Sequence, residues 1–188
     1  MYFEGLNGVY QTILADPPWD YDQRLHNGKR ATPTGGAADH YPTMTLGELA
    51  GLPVQRIADP QQSILFMWTT GPQLNNSIVL MMQWGFDYRT VAFVWDKRRT
   101  NPGYYTMSQC EYVLAGVRGK IPKPRGDRNV RQFLSEKRTA KHSEKPFEIH
   151  RRIEQMFPEQ RKCELFARER VLGWDCWGNE VEPAKETR

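Results

Sequence analysis

Apolar residues in this chain come in short, dense runs separated by turn residues, and the runs take two different periods. Tyr10-Gln11-Thr12-Ile13-Leu14-Ala15 is β-prone and stops abruptly at Asp16-Pro17-Pro18, as a buried strand does when it ends in a loop. Similar runs at 63–68, 89–95, 110–117 and 162–167 bring the expected strands to five. Between them the period lengthens. Leu74, Ile78, Met81 and Met82 fall close to helical spacing ahead of Gly85, and Ile149, Ile153 and Met156 do so behind Pro146, a favoured first-turn residue. Thr45 and Glu48 form the Thr-x-x-Glu pattern of a capping box for a short helix through Leu46 and Leu49. Strands alternating with helices predict an α/β domain with a largely parallel sheet, in which ligands bind beyond the carboxyl ends of the strands. Asp16 stands at such an end.

Residues 20 to 42, rich in Gly, Pro, Thr and charge, are too long for a plain connection and are expected to form a lid or binding loop. The length of 188 residues fits one catalytic-size domain spanning 1–188. Mean hydropathy is −0.71, and no run approaches the roughly 18 apolar residues of a membrane helix. Met1 to Gly5 lacks the basic and apolar regions of a secretion signal, so a cytoplasmic location is expected. Cys110, Cys163 and Cys176 are odd in number and lack C-x-x-C spacing, which points to small core residues rather than a disulfide framework or a zinc site. His26, His40, His142 and His150 show no metal-ligand spacing.

Twenty-six Lys and Arg against 22 Asp and Glu give +4, and the isoelectric point near 9.0 fits a polyanionic partner. The excess is concentrated. Nine basic residues, among them Arg125, Arg128 and Arg131, face three acidic ones between Lys120 and Lys145, and Lys97-Arg98-Arg99 forms a second basic group. A charge run is ordinarily a solvated face. Beside a nucleic-acid site it becomes a surface for phosphates.

The chemistry is concentrated in Asp16-Pro17-Pro18-Trp19. An exocyclic adenine nitrogen is a poor nucleophile, because its lone pair is delocalised into the ring. A carboxylate at Asp16 and the carbonyl of Pro17 could accept its two N–H groups where positive charge develops. Consecutive prolines stiffen the backbone, and Trp19 offers a face on which a flipped-out purine stacks. Taken alone, the same tetrapeptide also suits a Pro-Pro turn with Asp16 capping a helix and Trp19 in the core.

Beyond that motif the chain resembles the MT-A70 family of N6-adenine methyltransferases over nearly its whole length. The resemblance runs from Ala15–Asp20 through Tyr41-Pro42-Thr43-Met44, 65–71, Trp84-Gly85-Phe86, Val94-Trp95-Asp96-Lys97 and 111–119. It continues through His142–Pro146 and Glu164–Arg168 to Gly173-Trp174 and Gly178-Asn179-Glu180. It implies a Rossmann-like, S-adenosylmethionine-dependent methyltransferase fold in permuted order, with the catalytic motif before the strand that holds the cofactor. It places Asp16, Pro17, Pro18 and Trp19 at the target base and Tyr41 on a gate loop beside it. It sets Lys145 at the methionine carboxylate of the cofactor, and Arg168, Asn179 and Glu180 around the ribose, with Asp16 also close to the cofactor. Glu111 stands at the substrate side. The segment before the catalytic strand is only about 15 residues, shorter than is usual in the family.

The expected partner is nucleic acid, DNA before RNA, because no RNA-binding module is recognisable; the surface for it is expected from Lys97, Arg98, Arg99, Arg125, Arg128 and Arg131. A non-catalytic binding subunit of the same fold and methylation of a protein amide are the rival readings. The sequence leaves monomer and homodimer open.

Overall fold

Four consecutive buried residues, Thr12–Ala15, form the strand around which the other elements are arranged. The computed structural model describes residues 3–20, 43–103, 105–137 and 144–181. Within them, β1 (Thr12–Ala15), β2 (Gln62–Thr69), β3 (Asp87–Pro102), β4 (Met107–Gly119), β5 (Phe133–Ser135), β6 (Lys162–Leu165) and β7 (Trp174–Trp177) build one sheet. Its strand order is β5-β3-β4-β2-β1-β6-β7. Helices α1 (Leu46–Ala50), α2 (Leu74–Gln83) and α3 (Glu148–Met156) cover it.

Successive residues of a strand point to opposite faces, and both faces here are buried, which is why the strands read as apolar runs rather than alternations. Ile13, Leu65, Met67 and Leu114 pack on one face with Leu49 of α1 and Leu80, Met81 and Trp84 at α2. Leu14, Phe66, Trp68 and Val113 pack on the other with Ile149, Ile153 and Phe157 at α3. Burying one such side chain contributes about 1.5–3 kcal/mol. This is the three-layer, Rossmann-like arrangement that the resemblance implies, and β1 with its Asp16 precedes β6 and β7 as the permuted order requires.

The helices stand where the periodicity places them. The capping box is complete: the Glu48 N–H donates to Thr45 Oγ1 at 3.3 Å and the Thr45 N–H to Glu48 Oε2 at 2.8 Å. Trp84 Nε1 donates to the Leu49 carbonyl at 2.9 Å, fastening the end of α2 to α1. Gly85 follows at φ +82°, a conformation glycine adopts without strain.

The sheet is largely parallel, as expected, with one exception: β4 runs antiparallel to both of its neighbours, β2 and β3, while β1 pairs in parallel with β2 and β6, β6 with β7 and β3 with β5. The connection from Pro102 to Met107 is too short to cross over the sheet, and a short link can join only antiparallel neighbours. β5, of three residues, and β7, inside a Gly- and Trp-containing segment, lie outside the five strands expected.

The strand directions define a single functional edge. The carboxyl ends of β1, β2, β6 and β7 meet there with the start of β4, the end of β3 and the amino end of α3. At this edge the β3–β4 register jumps from Asp96↔Cys110 to Asn101↔Ser108, so that four residues, Lys97 to Thr100, lie opposite Gln109 alone.

Candidate active site

Asp16 leaves β1 at the functional edge, where its N–H still donates to the Leu165 carbonyl at 3.3 Å. The proline pair then turns the chain: the Trp19 N–H donates to the Pro17 carbonyl at 2.9 Å and the Met44 N–H to the Pro18 carbonyl at 2.8 Å. A carbonyl has two lone pairs, so among the described residues Pro17 retains one acceptor position. Trp19 differs from the open stacking face expected of it. It is 6% exposed and packs in the core, with its indole N–H buried and, among the described residues, without a hydrogen-bond partner.

Four ionisable side chains form a chain across the edge. Asp16 Oδ2 lies 3.2 Å from Lys145 Nζ, Lys145 Nζ lies 3.2 Å from Glu111 Oε2, and Glu111 Oε1 lies 3.2 Å from Lys97 Nζ. The Lys145 ammonium also stands 5.4 Å from the Trp68 ring, a cation–π contact. Burial pushes the Asp16 carboxyl above its ordinary value against the opposing attraction of Lys145. For Glu111 burial acts in the same direction, but Lys145 and Lys97 outweigh it and hold the carboxyl below its ordinary value. Burial alone would lower the Lys145 ammonium; Asp16 and Glu111 reverse that and raise it, so Lys145 stays charged.

Beside this chain lies a cavity of about 410 Å³, lined by Asp16, Lys145, Phe147, His150, Glu164, Phe166 and Arg168 among others. Its size falls within the range of small-molecule sites. Cations at Lys145 and Arg168, carboxylates at Asp16 and Glu164, and aromatic walls at Phe147 and Phe166 suit a zwitterionic ligand that carries a purine. Glu180, beyond the end of β7, reaches the rim through Arg168, Nε to Oε1 3.7 Å. Asn179 is exposed beside it.

Two features of the cavity have no counterpart in the sequence reading. Phe166 has φ +63°, a left-handed conformation that costs a branched or bulky residue of order 1 kcal/mol or more and that clusters at functional sites. It packs edge-on to Trp177 at 5.3 Å. His150 is 8% exposed, bonded through Nε2 to Glu164 Oε2 at 2.9 Å and stacked on Phe147 at 5.4 Å. The spacing Glu164-x-Phe166 at the end of a strand was the available signal for the first. Nothing in the sequence joins His150 to Glu164, fourteen positions away.

The expected nucleic-acid surface divides. Arg98 and Arg99 are exposed at the functional edge, with Arg98 Nε donating to Ser135 Oγ at 2.9 Å. Lys97 is not part of that surface, being 7% exposed and turned onto Glu111. Arg125 and Arg128 belong to the opposite end of the sheet. Arg125 sits 4.9 Å over the Phe157 ring, and the N–H groups of Gly126 and Asp127 donate to the carbonyls of Met156 and Gln155 at the far end of α3. Lys120 is likewise bonded to Gln61 at the start of β2. The run thus begins at one edge and climbs past the middle of α3, where the Arg131 carbonyl accepts from Arg152, before reaching Lys145 at the other. Tyr41 and His142 lie outside the described residues.

Comparison with known proteins agrees with this architecture. A family profile described as MT-A70 matches residues 10–180. Over 187 residues the chain is 50% identical to the type II methyltransferase M.MunI of Mycoplasma sp, covering 94% of this chain and 79% of that one. It is 28% identical over 185 residues to the N(6)-adenosine-methyltransferase subunit METTL3 of Danio rerio and 27% identical over 185 residues to the catalytic subunit METTL3 of Homo sapiens. It spans 28% and 29% of those two chains. A profile match over residues 10–180 and 50% identity across most of both chains, on a seven-stranded α/β sheet, lead to one assignment: this chain belongs to the MT-A70 family.

Proposed function

We propose that this protein methylates adenine N6 in DNA, taking the methyl group from S-adenosylmethionine. The observation that carries the reading is the position of Asp16, at the carboxyl end of the central strand, between a basic carboxylate-binding group and the 410 Å³ cavity. The 50% identity to a type II methyltransferase supports DNA over RNA, and the N6-adenosine methyltransferases among the relatives support the atom modified.

When bound, S-adenosylmethionine supplies a methyl group on a positively charged sulfur, which a nitrogen lone pair displaces. Lys145 and Arg168 would hold the ligand's carboxylate and ribose side, and Phe147 and Phe166 its apolar surface. Asp16 accepts one N–H of the adenine amine and the free lone pair of the Pro17 carbonyl accepts the other. That arrangement turns the nitrogen lone pair away from the ring and stabilises the positive charge that develops on nitrogen as the N–C bond forms and the C–S bond breaks. The surplus proton leaves N6 afterwards through the Asp16 carboxylate, whose raised affinity for protons suits it to receive one. Positioning supplies the rest of the acceleration. Arg98 and Arg99, exposed on the same edge, would meet the phosphates.

Incubation of the purified protein with methyl-labelled S-adenosylmethionine and separate DNA, RNA and protein substrates tests the reading. Label in DNA that digests to N6-methyladenosine supports it; label in protein alone, or in none of the three, refutes it.

A further inference from the structure

Lys97 has no part in the reaction as described above, and its surroundings are unusual for a lysine. The bulge at Lys97–Thr100 turns it inward while Arg98 and Arg99 turn out. Its side chain is 9% exposed, and lysine is rarely so buried unless paired. The inward turn is built into the bulge by Asp96, whose carboxylate accepts the Arg98 N–H at 2.9 Å, the Ser135 hydroxyl at 2.9 Å and the Gln109 amide. Bulges of this kind re-aim a side chain beside a site.

The pair that Lys97 makes leads to the acceptor. Asp16, Lys145, Glu111 and Lys97 alternate in sign at three successive 3.2 Å contacts, and their charges sum to zero. Without Lys97 the remaining three carry one net negative charge, and two carboxylates share one cation. Such a pair takes up a proton at a higher pH, and the proton belongs to the pair rather than to either member. A proton on Asp16 removes the acceptor. A proton on Glu111 leaves Lys145 held by Asp16 alone, less able to turn to an incoming carboxylate.

We propose that Lys97 is a positioning residue for methyl transfer, closing a charge-neutral Asp16–Lys145–Glu111–Lys97 chain that leaves Lys145 able to exchange Asp16 for the carboxylate of a ligand. The inference rests on Asp16 as the N6 acceptor. Among the described residues, the charged groups facing Glu111 are Lys97 from β3 and Lys145 from the segment before α3. Asp16 lies beyond Lys145, with Arg168 after β6 adding positive charge toward it. Cys110 adjoins Glu111 on β4, and Asp96 adjoins Lys97, engaged on the bulge.

The test is a carbon-13 NMR titration of the side-chain carboxyls in the free protein, paired with the pH dependence of the transfer rate. In Lys97→Met the coupled carboxylate titration and the acid limb of the rate should both rise by about one to three pH units. The rate at pH 7 should fall at least tenfold and recover toward the parent's at pH 9. Lys97→Met combined with Glu111→Gln restores neutrality, and its acid limb should return to the parent's position whatever the remaining rate. Glu111→Gln alone leaves one net positive charge and should move the titration of Asp16 the other way, which decides the matter where Lys97→Met does not fold. An unmoved carboxylate titration in either single variant overturns the proposal. Asp16→Asn keeps the two questions apart: activity retained there removes Asp16 as acceptor, whereas the titration of the free protein still reports what Lys97 does.

Discussion

Asp16→Asn should abolish most methyl transfer without destabilising the fold, and the structure gives the reason for both halves. Asparagine keeps the size and one acceptor oxygen of the carboxyl but not its charge. Removing one preorganised electrostatic partner of a developing charge costs about 10²–10³ in rate, roughly 2.7–4 kcal/mol. Stability moves differently. Burial raises the Asp16 carboxyl above its ordinary value even with Lys145 at 3.2 Å, so ionising it in the folded protein is less favourable than in the unfolded chain. The resulting penalty is absent below the unfolded value of about 3.9, develops as pH rises through the raised folded value, and is fully present above it. Each unit of displacement is worth about 1.4 kcal/mol. Lys145 loses one partner in the variant but retains Glu111 at the same distance. Asp16→Asn should therefore melt at or above the parent's temperature at pH 7, with the advantage vanishing toward pH 4. Transfer of labelled methyl to DNA and thermal melts across that pH range are the assays. Retention of more than about a tenth of the activity, a barrier change below roughly 1.4 kcal/mol, refutes the acceptor role. A variant that melts lower than the parent at pH 7 and equally at pH 4 refutes the electrostatic account.

Further outcomes follow from the same geometry. Lys145→Met takes from Asp16 its lysine partner and leaves Glu111 with Lys97, so cofactor affinity measured by calorimetry should fall at least tenfold, and the loss of stability, of order 3 kcal/mol at pH 7, should shrink on acidification as the carboxylates take up protons. Arg98→Glu with Arg99→Glu should reduce the log–log salt slope of duplex binding by about 0.9 for each lost phosphate contact. Arg125→Glu with Arg128→Glu, at the far end of the sheet, should leave slope and affinity at the parent's values in the same salt series. Gly178→Ala should lower both the melting temperature and cofactor affinity, because a Cβ at Gly178 would overlap the Ala167 backbone and displace the neighbouring Asn179 and Glu180; an unchanged calorimetric titration would argue against a cofactor role for that segment.

The parts of this molecule that were legible in the sequence are those fixed by local pattern. Thr45 and Glu48 are three residues apart and cap α1 as read, and the apolar run 10–15 ends at Asp16 as a buried strand must. What stayed hidden depends on direction and facing. Lys97, Arg98 and Arg99 are chemically alike and adjacent, and only the bulge, invisible in composition, sends the first inward and the others out. The basic run from Lys120 to Lys145 looks continuous as a string, yet it traverses the sheet from one edge to the other, so proximity in sequence to Lys145 did not bring Arg125 to Asp16. Trp19 shows the same limit at the scale of one side chain: its identity suits a stacking platform, while its packing makes it core.

The central strand also constrains how the protein comes into being. β1 is flanked by β2, some fifty residues later, and by β6, whose first residue is Lys162. During synthesis the four-residue strand that leads into Asp16 has one open side until the chain has grown past residue 165. Pairing over such separations closes loops whose entropy must be overcome before the contact gives anything back, which slows folding. Asp16, Glu111, Lys145 and Arg168 come from four distant stretches, so no amino-terminal fragment of the nascent chain can hold the complete site. Ligand binding and completion of the sheet are acquired together, and a ribosome-stalled chain that ends before β6 should expose an apolar strand edge to chaperones and to other nascent chains.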